Sequence, residues 1–435
     1  MSQYLSWGRL PRVAPAKVVP LSSREQLPDL AGMQGPVLAY GLGRSYGDSC
    51  LNEGGVLLAT RGLSRFISFD EETGVLCCEA GTSLAEILET FVPRGWTLPV
   101  TPGTKFVTVG GAIANDVHGK NHHAAGTFGA HVRRLELLRS DGERTVCSPE
   151  EHCELFSATI GGLGLTGLVT WAEIGLRRTE SPLIDAEYIR MRGLDEFFAL
   201  TAESDGRFEF TVAWVDCLAR GTDVGRGIFM RGNYADVPAP PAARRRSRLV
   251  VPFDAPSGLL NRHTVGAFNT LYYLKQWRRH TRKLVDPESF FYPLDGIRNW
   301  NRLYGRRGFF QYQCVVPLES GAPAMREILT RIARSGQASF LAVLKVFGDV
   351  PSPGMLSFPR AGVTLALDVP NKGSSTLALF ESLDRVTAEA GGAVYPAKDA
   401  RMSPMQFRES FPRLEEFSRH VDPNFSSSFW RRVSA

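Results

Sequence analysis

At 435 residues the chain is too long for one ordinary hydrophobic core, so two domains are expected. Apolar residues make up 43% and charged residues 22%, which excludes a disordered chain, and no run reaches the roughly 18 apolar residues of a membrane span. The net charge of +5 is a weak bias that suits an anionic ligand and gives no ground for a nucleic-acid partner. The seven cysteines are scattered and odd in number, with no CxxC, which predicts free thiols in a reducing compartment. The first residues, MSQYLSWGRLPRVAPAK, lack an apolar core of signal-peptide length, so a cytoplasmic location is expected.

In chain order, residues 36–40 (PVLAY) read as a strand running into a glycine-rich turn, GLGRSYGD, at 41–48. Residues 56–60 and 75–79 read as further strands. Ser83 and Glu86 have capping-box spacing for a helix that runs to Phe91 and is ended by Pro93 and Gly95. Residues 107–123 (VTVGGAIANDVHGKNHH) form an apolar run that breaks into two glycines and then a cluster of imidazoles, a carboxylate and an amine. Strands are expected again at 132–138 and 167–176, and a boundary at 178–182.

Beyond that boundary the pattern turns to period two. Residues 208–215, 227–231, 309–316, 339–346 and 362–369 are β-branched or aromatic, with helical stretches between them, which predicts an antiparallel sheet with flanking helices. Residues 237–256 read as a structureless loop or lid. Residues 261–283 read as a basic, aromatic, amphipathic helix, either packed on the domain or touching an anionic membrane surface; the whole stretch 237–283 is expected to be mobile.

Several chemistries can be set aside. Gly41, Gly43 and Gly47 give a G-x-G-x-x-x-G, one residue too long for a dinucleotide fingerprint, and no helix start follows. An anion nest of backbone N–H groups needs no such helix. His118, His122 and His123 with Asp116 are not spaced as H-E-x-x-H, and Lys120 would place a cation beside a metal, so no metal is expected. No G-x-S-x-G nucleophile elbow is present.

The run GLGRSYGD, TPGTKFVTVGGAIANDVHGKNHHAAGTFGAHV and GGLGLTGLV resembles the FAD-binding domain of the vanillyl-alcohol-oxidase-type flavoproteins. More closely, it is similar to the decaprenylphosphoryl-β-D-ribose oxidase family, the flavin half of a ribose-to-arabinose epimerase. The likeness continues through YPLD at 292–295, QYQ at 311–313, LKVFG at 344–348, YPAKD at 395–399 and VDP at 421–423. The resemblance implies an α+β, two-domain fold. An FAD-binding domain, residues 1–180, would be completed by 393–435, and a substrate domain built on the antiparallel sheet would span 181–392.

The resemblance also assigns residues. Gly41, Gly43, Arg44, Ser45, Tyr46, Gly47 and Asp48 would wrap the FAD pyrophosphate. Gly103, Thr108, Val109, Gly110, Gly111, His118, Gly119, Lys120, Asn121 and Val169 would line the rest of the cofactor, and Tyr395 would reach back to it. Aldonolactone-oxidising relatives carry a flavin-linked histidine where Arg44 stands, so non-covalent FAD is expected. The implied reaction oxidises the 2-hydroxyl of a polyprenylphosphoryl-β-D-ribose to the 2-keto sugar. It is the first half of epimerisation to an arabinose donor for cell-envelope polysaccharide, with a separate NAD-dependent reductase as partner.

Lys398 would be the cation beside the flavin N1–O2 end. Tyr46 and His118 would accept or relay the hydroxyl proton. Lys120, Tyr292, Gln313 and Lys345 would line the sugar–phosphate end. Mycobacterial members of the family carry a cysteine where Ala366 stands. A lipid-linked substrate implies peripheral contact with the inner membrane, on the cytoplasmic or the periplasmic face. A soluble sugar or alditol oxidase is the alternative enzyme, and a flavin-binding scaffold without turnover is the alternative outside catalysis.

Overall fold

A computed structural model describes residues 4–237, 249–256 and 258–435. Residues 238–248 and Ser257 of the expected mobile stretch therefore lie outside the described residues.

The first half holds two larger sheets and a two-residue antiparallel pairing of Trp96–Thr97 with Arg177–Arg178. Strands β1 (Lys17–Pro20), β2 (Val37–Tyr40) and β3 (Val56–Ala59) form a parallel sheet in the order β1-β3-β2. Strands β4 (Phe66–Asp70), β5 (Val75–Glu79), β6 (Val132–Leu138), β7 (Arg144–Cys147) and β8 (Leu168–Gly175) form an antiparallel sheet in the order β4-β5-β8-β6-β7. Along β8 the side chains alternate between buried and half-buried, as one covered face requires.

Helix α1 (Leu84–Phe91) begins at the expected capping box, in which Ser83 and Glu86 satisfy each other's backbone N–H. Its Leu84, Ile87 and Phe91 pack into the same core as Val109, Ala112 and Ile113 of α2 (Val109–Ala114). Gly95, at φ 81°, turns the chain after α1, a left-handed conformation that favours glycine.

The second half is one antiparallel sheet. Its strands are β9 (Ile184–Met191), β10 (Phe210–Val215), β11 (Gly227–Tyr234), β12 (His280–Val285), β13 (Phe309–Val316), β14 (Ala342–Phe347), β15 (Gly362–Pro370) and β16 (Ala393–Val394). Their order is β12-β9-β11-β10-β14-β15-β13-β16. Helix α3 (Arg262–Lys275) lies before β12, while α4 (Leu318–Ser335) and α5 (Ser374–Glu389) cover the sheet. Ala393 and Val394, the first residues of the returning C-terminal segment, add to the edge of this sheet against Val315 and Cys314.

The returning segment then joins the first half. Phe425 bridges to Val37, and Ser140 donates its backbone N–H to the Asp422 carboxylate. One core holds Leu163 and Leu165 of the first half, the central strands, and Phe407, Phe417 and Phe429.

The stretch 261–283 departs from the expected single helix. Helix α3 stops at Lys275, and residues 280–285 are strand β12, paired with β9. Thr281 and Val285 suit a strand, and Arg282 reaches across to Asp185, a cross-strand ion pair. Leu249–Val250 of the expected loop forms a short parallel pairing with Ile297–Arg298.

Candidate active site

A cavity of about 590 Å³ lies between the two halves. Its walls are the glycine turn after β2, the segment 101–104, the stretch entering and leaving α2, the turn before β8, the inner face of the large sheet and the turn after β16. The backbone is close there by construction. A Cβ at Gly41 would overlap the Thr108 hydroxyl, and one at Gly43, which has φ 60°, would overlap the Tyr40 hydroxyl.

The motif DVHGK is held from behind. Asp116, at φ 40°, accepts from Ser357 Oγ at 2.5 Å and from the Gly129 N–H at 2.8 Å. Burial nonetheless pushes its carboxyl up to about 6. Asp116 therefore serves to fix the turn that aims the next residues at the cavity.

His118 faces the cavity, with Gln313 Nε2 at 3.1 Å from its Nε2. An amide nitrogen only donates, so His118 Nε2 accepts and the ring proton belongs on Nδ1, which is buried without a partner. Burial holds His118 well below the ordinary imidazole range, aided by Lys345, His122 and Lys398. The ring is therefore neutral at neutral pH.

Three half-buried lysines share this cavity. Lys345 donates to the Gly119 carbonyl at 2.7 Å, and Lys120 donates to the Phe290 carbonyl. Lys398 Nζ sits 4.1 Å from the centre of the Tyr46 ring. Burial lowers Lys120 to about 7; burial, with repulsion from Lys120 and Lys398, lowers Lys345 to about 7. Burial lowers Lys398 to about 8, opposed by the carboxylate of Asp368. None of the three makes an ion pair of contact distance among the described residues. Cations withdrawn from water without a paired anion are costly, so three of them around one cavity suit an anionic ligand.

Tyr46 has its phenol raised well above the ordinary range by burial and by Asp368, with the Gln311 side chain and Arg44 acting against this. Asp368 lies behind it, bonded to Gln311 Nε2 at 2.5 Å and pushed up by burial to about 7. Its second carboxylate oxygen is buried without a partner. Arg44 stacks its guanidinium 4.0 Å from the centre of the Trp7 ring, and its Nε is buried and unpartnered.

Of the residues expected at the site, Gly41, Gly43, Arg44, Ser45, Tyr46, Gly103, Thr108, Gly110, Gly111, His118, Gly119, Lys120, Val169, Gln313, Lys345, Tyr395 and Lys398 line the cavity together. Five do not. Gly47 packs on the Asp399 carbonyl, leaving no room for a Cβ. Asp48 is turned away into an ion pair with Arg432, at 2.7 Å. Val109 is fully buried in the α2 core. Asn121 donates to the Pro99 carbonyl at 2.9 Å, supporting the 101–104 wall from outside. Tyr292 is buried behind that wall, its hydroxyl 2.6 Å from Thr101 Oγ1.

Trp7, Trp214, Gln311 and Thr364 line the cavity as well. Gln311 was legible in principle. On a strand, Gln311 and Gln313 share a face while Tyr312 points the other way, towards Thr387. Trp7 carries no local signal of its place.

The residues fit FAD. Arg44 Nε, Ser49 Oγ and His118 Nδ1 are buried, unpartnered polar atoms around a glycine-walled space with a surplus of positive charge. Residues 16–148 match the family model of an FAD-binding domain. The chain is also 39% identical to decaprenylphosphoryl-β-D-ribose oxidase of Mycolicibacterium smegmatis, over 91% of this chain and 89% of that protein. The chain belongs to the decaprenylphosphoryl-β-D-ribose oxidase family.

A protein of Streptomyces coelicolor described only by its place in the mprA 5′ region is 37% identical over 81% of this chain and 99% of its own length. Cytokinin dehydrogenase 8 of Oryza sativa subsp. indica is 31% identical over a shorter stretch, 32% of this chain and 29% of its own. As a member of the decaprenylphosphoryl-ribose oxidase family, the chain is a two-domain, vanillyl-alcohol-oxidase-type flavoprotein. It binds FAD and is an oxidoreductase acting on CH–OH groups.

Proposed function

We propose that this protein oxidises the 2-hydroxyl of a polyprenylphosphoryl-β-D-ribose to the 2-keto sugar, using non-covalently held FAD. The observation that carries this reading is the group of three half-buried lysines in one cavity, none with a carboxylate at contact distance among the described residues. One serves the cofactor; the other two suit a phosphate on the substrate, which a free sugar or alditol lacks. FAD, when bound, supplies a hydride acceptor for the carbon that carries the hydroxyl.

The chain's own residues do the rest. Lys398 holds a positive charge beside the cofactor, where charge develops. Lys120 and Lys345 hold the phosphate, and Gln313 bonds the ribose while keeping His118 in one tautomer. Tyr46 and His118 relay the hydroxyl proton. Arg44 stands where a covalently linked histidine would be needed, and arginine forms no such link.

In this reading residues 1–180 and 393–435 make the cofactor domain, and 181–392 the substrate domain. The 2-keto product calls for a separate NAD-dependent reductase to complete the inversion. The polyprenyl tail places the enzyme at a membrane, peripherally, on the cytoplasmic or the periplasmic side. Among the described residues no helix is long and apolar enough to cross one.

Product analysis tests the proposal. With a short-chain polyprenylphosphoryl ribose, the product should be two hydrogens lighter and take one deuterium at C2 on borodeuteride reduction. Oxidation at another carbon, or of unphosphorylated alditols in preference, would instead support a soluble alditol oxidase.

A further inference from the structure

Among the described residues, five large exposed apolar side chains fall on or beside one helix. Helix α3 begins at a capping box formed by Asn261 and Thr264. It buries Val265 and Asn269 against the domain. Leu271 and Leu274 lie on the opposite side and are 69% and 54% exposed, while Phe268, on the flank beside Tyr272 and Phe340, is 46% exposed. Trp277, just beyond the helix, and Phe253, on the loop before it, are each 72% exposed. A patch of this kind marks a surface that meets an apolar partner.

Its charge is one-sided. Between residues 255 and 285 the sequence carries six lysines and arginines and no aspartate or glutamate. Arg279 and Arg282 are tied to Glu196 and Asp185. Lys275, Arg278 and Lys283 make no ion pair among the described residues; Arg278 lies over the Trp277 ring at 4.7 Å. Apolar side chains pointing outwards, edged by uncompensated cations, match the boundary between acyl chains and anionic headgroups.

Position links the patch to the site. Tyr272 and Lys275 of α3, with Lys283 and Val285 of β12, line the same cavity as His118 and Lys398. The apolar face of α3 therefore lies at the cavity mouth.

We propose that α3 and the adjoining Phe253 and Trp277 form a docking face for an anionic phospholipid bilayer, set so that the cavity opens against it. The proposal rests on the reading of a lipid-linked substrate, because such a substrate would then enter without leaving the membrane. The apolar face enters the acyl boundary, and Lys275, Arg278 and Lys283 meet the headgroup phosphates.

Vesicle binding of the holoenzyme tests this. The enzyme should sediment with phosphatidylglycerol-containing vesicles and less with pure phosphatidylcholine, and salt should weaken the binding. The double variant Leu271→Glu, Trp277→Glu should bind at least about tenfold more weakly, because it replaces two exposed apolar anchors with charge. Its flavin spectrum and its turnover of a short-chain, water-soluble substrate should be unchanged, since neither residue lines the cavity. No binding to anionic vesicles, or equal binding by the double variant, would overturn the proposal. So would a wild-type dimer, indifferent to vesicles, that the double variant splits, because a second copy would then cover the face. Vesicle binding is read without turnover, so a failure to oxidise the ribose lipid would fall on the functional reading alone.

Discussion

Lys398 Nζ lies 4.1 Å from the centre of the Tyr46 ring, joining the C-terminal turn after β16 to the glycine turn after β2. The Tyr46 N–H donates to the Ala397 carbonyl at 2.9 Å, which locks the two turns together. A residue near the end of the chain is thereby fixed beside one near its start, on the floor of the cavity.

Replacing Lys398 with alanine should leave FAD bound, because many other groups line the cofactor space, and should lower turnover by about a hundredfold or more. Stopped-flow reduction of the flavin, with bound FAD measured by absorbance, checks both. Near-normal reduction would remove Lys398 from the reaction.

The pH dependence follows from the same residue. Burial lowers Lys398 to about 8, so its positive form is present below that pH and lost above it. At saturating substrate, whose phosphate keeps Lys120 and Lys345 charged, kcat should fall as pH rises through about 8, and Lys398→Arg should carry that limb to higher pH. His118 is held well below its ordinary range, so it should add no limb near pH 6.5.

Arginine at position 44 leads to a direct chemical outcome. Acid precipitation of the purified protein should release the yellow flavin into the supernatant. Colour retained in the pellet would show a covalent bond and contradict the role given to Arg44.

The ion pair of Asp48 with Arg432 ties the glycine turn to the C-terminal helix and does not face the cavity. Asp48→Asn removes one of two carboxylates from Arg432, which keeps Asp399 at 3.1 Å, and should cost about 2 kcal/mol of stability. FAD affinity should change little. Urea unfolding and a flavin titration separate the two effects.

Much of this was legible in the sequence, for reasons that differ by element. The capping box at Ser83 and Glu86 and the strands at 132–138 and 309–316 follow local rules of capping and period, and the structure contains them. The glycine turn lacks the helix start of a dinucleotide fingerprint, and only a single tight turn, Asp48–Cys50, follows it. Asp48 and Tyr292 were misplaced because a motif gives proximity along the chain. Which way a side chain turns depends on distant partners, here Arg432 and Thr101. The β12 strand was missed because its Arg282 and Lys283 read as a helix's polar face. Its pairing with β9 is a long-range choice that local periodicity does not carry.

The most direct test of the account is anaerobic. The oxidised flavin band of the purified enzyme is followed while a short-chain polyprenylphosphoryl ribose is added. The account predicts bleaching by this phosphorylated lipid and none by free ribose or alditols. Bleaching by free polyols, with indifference to the phosphate-linked ribose, would contradict it.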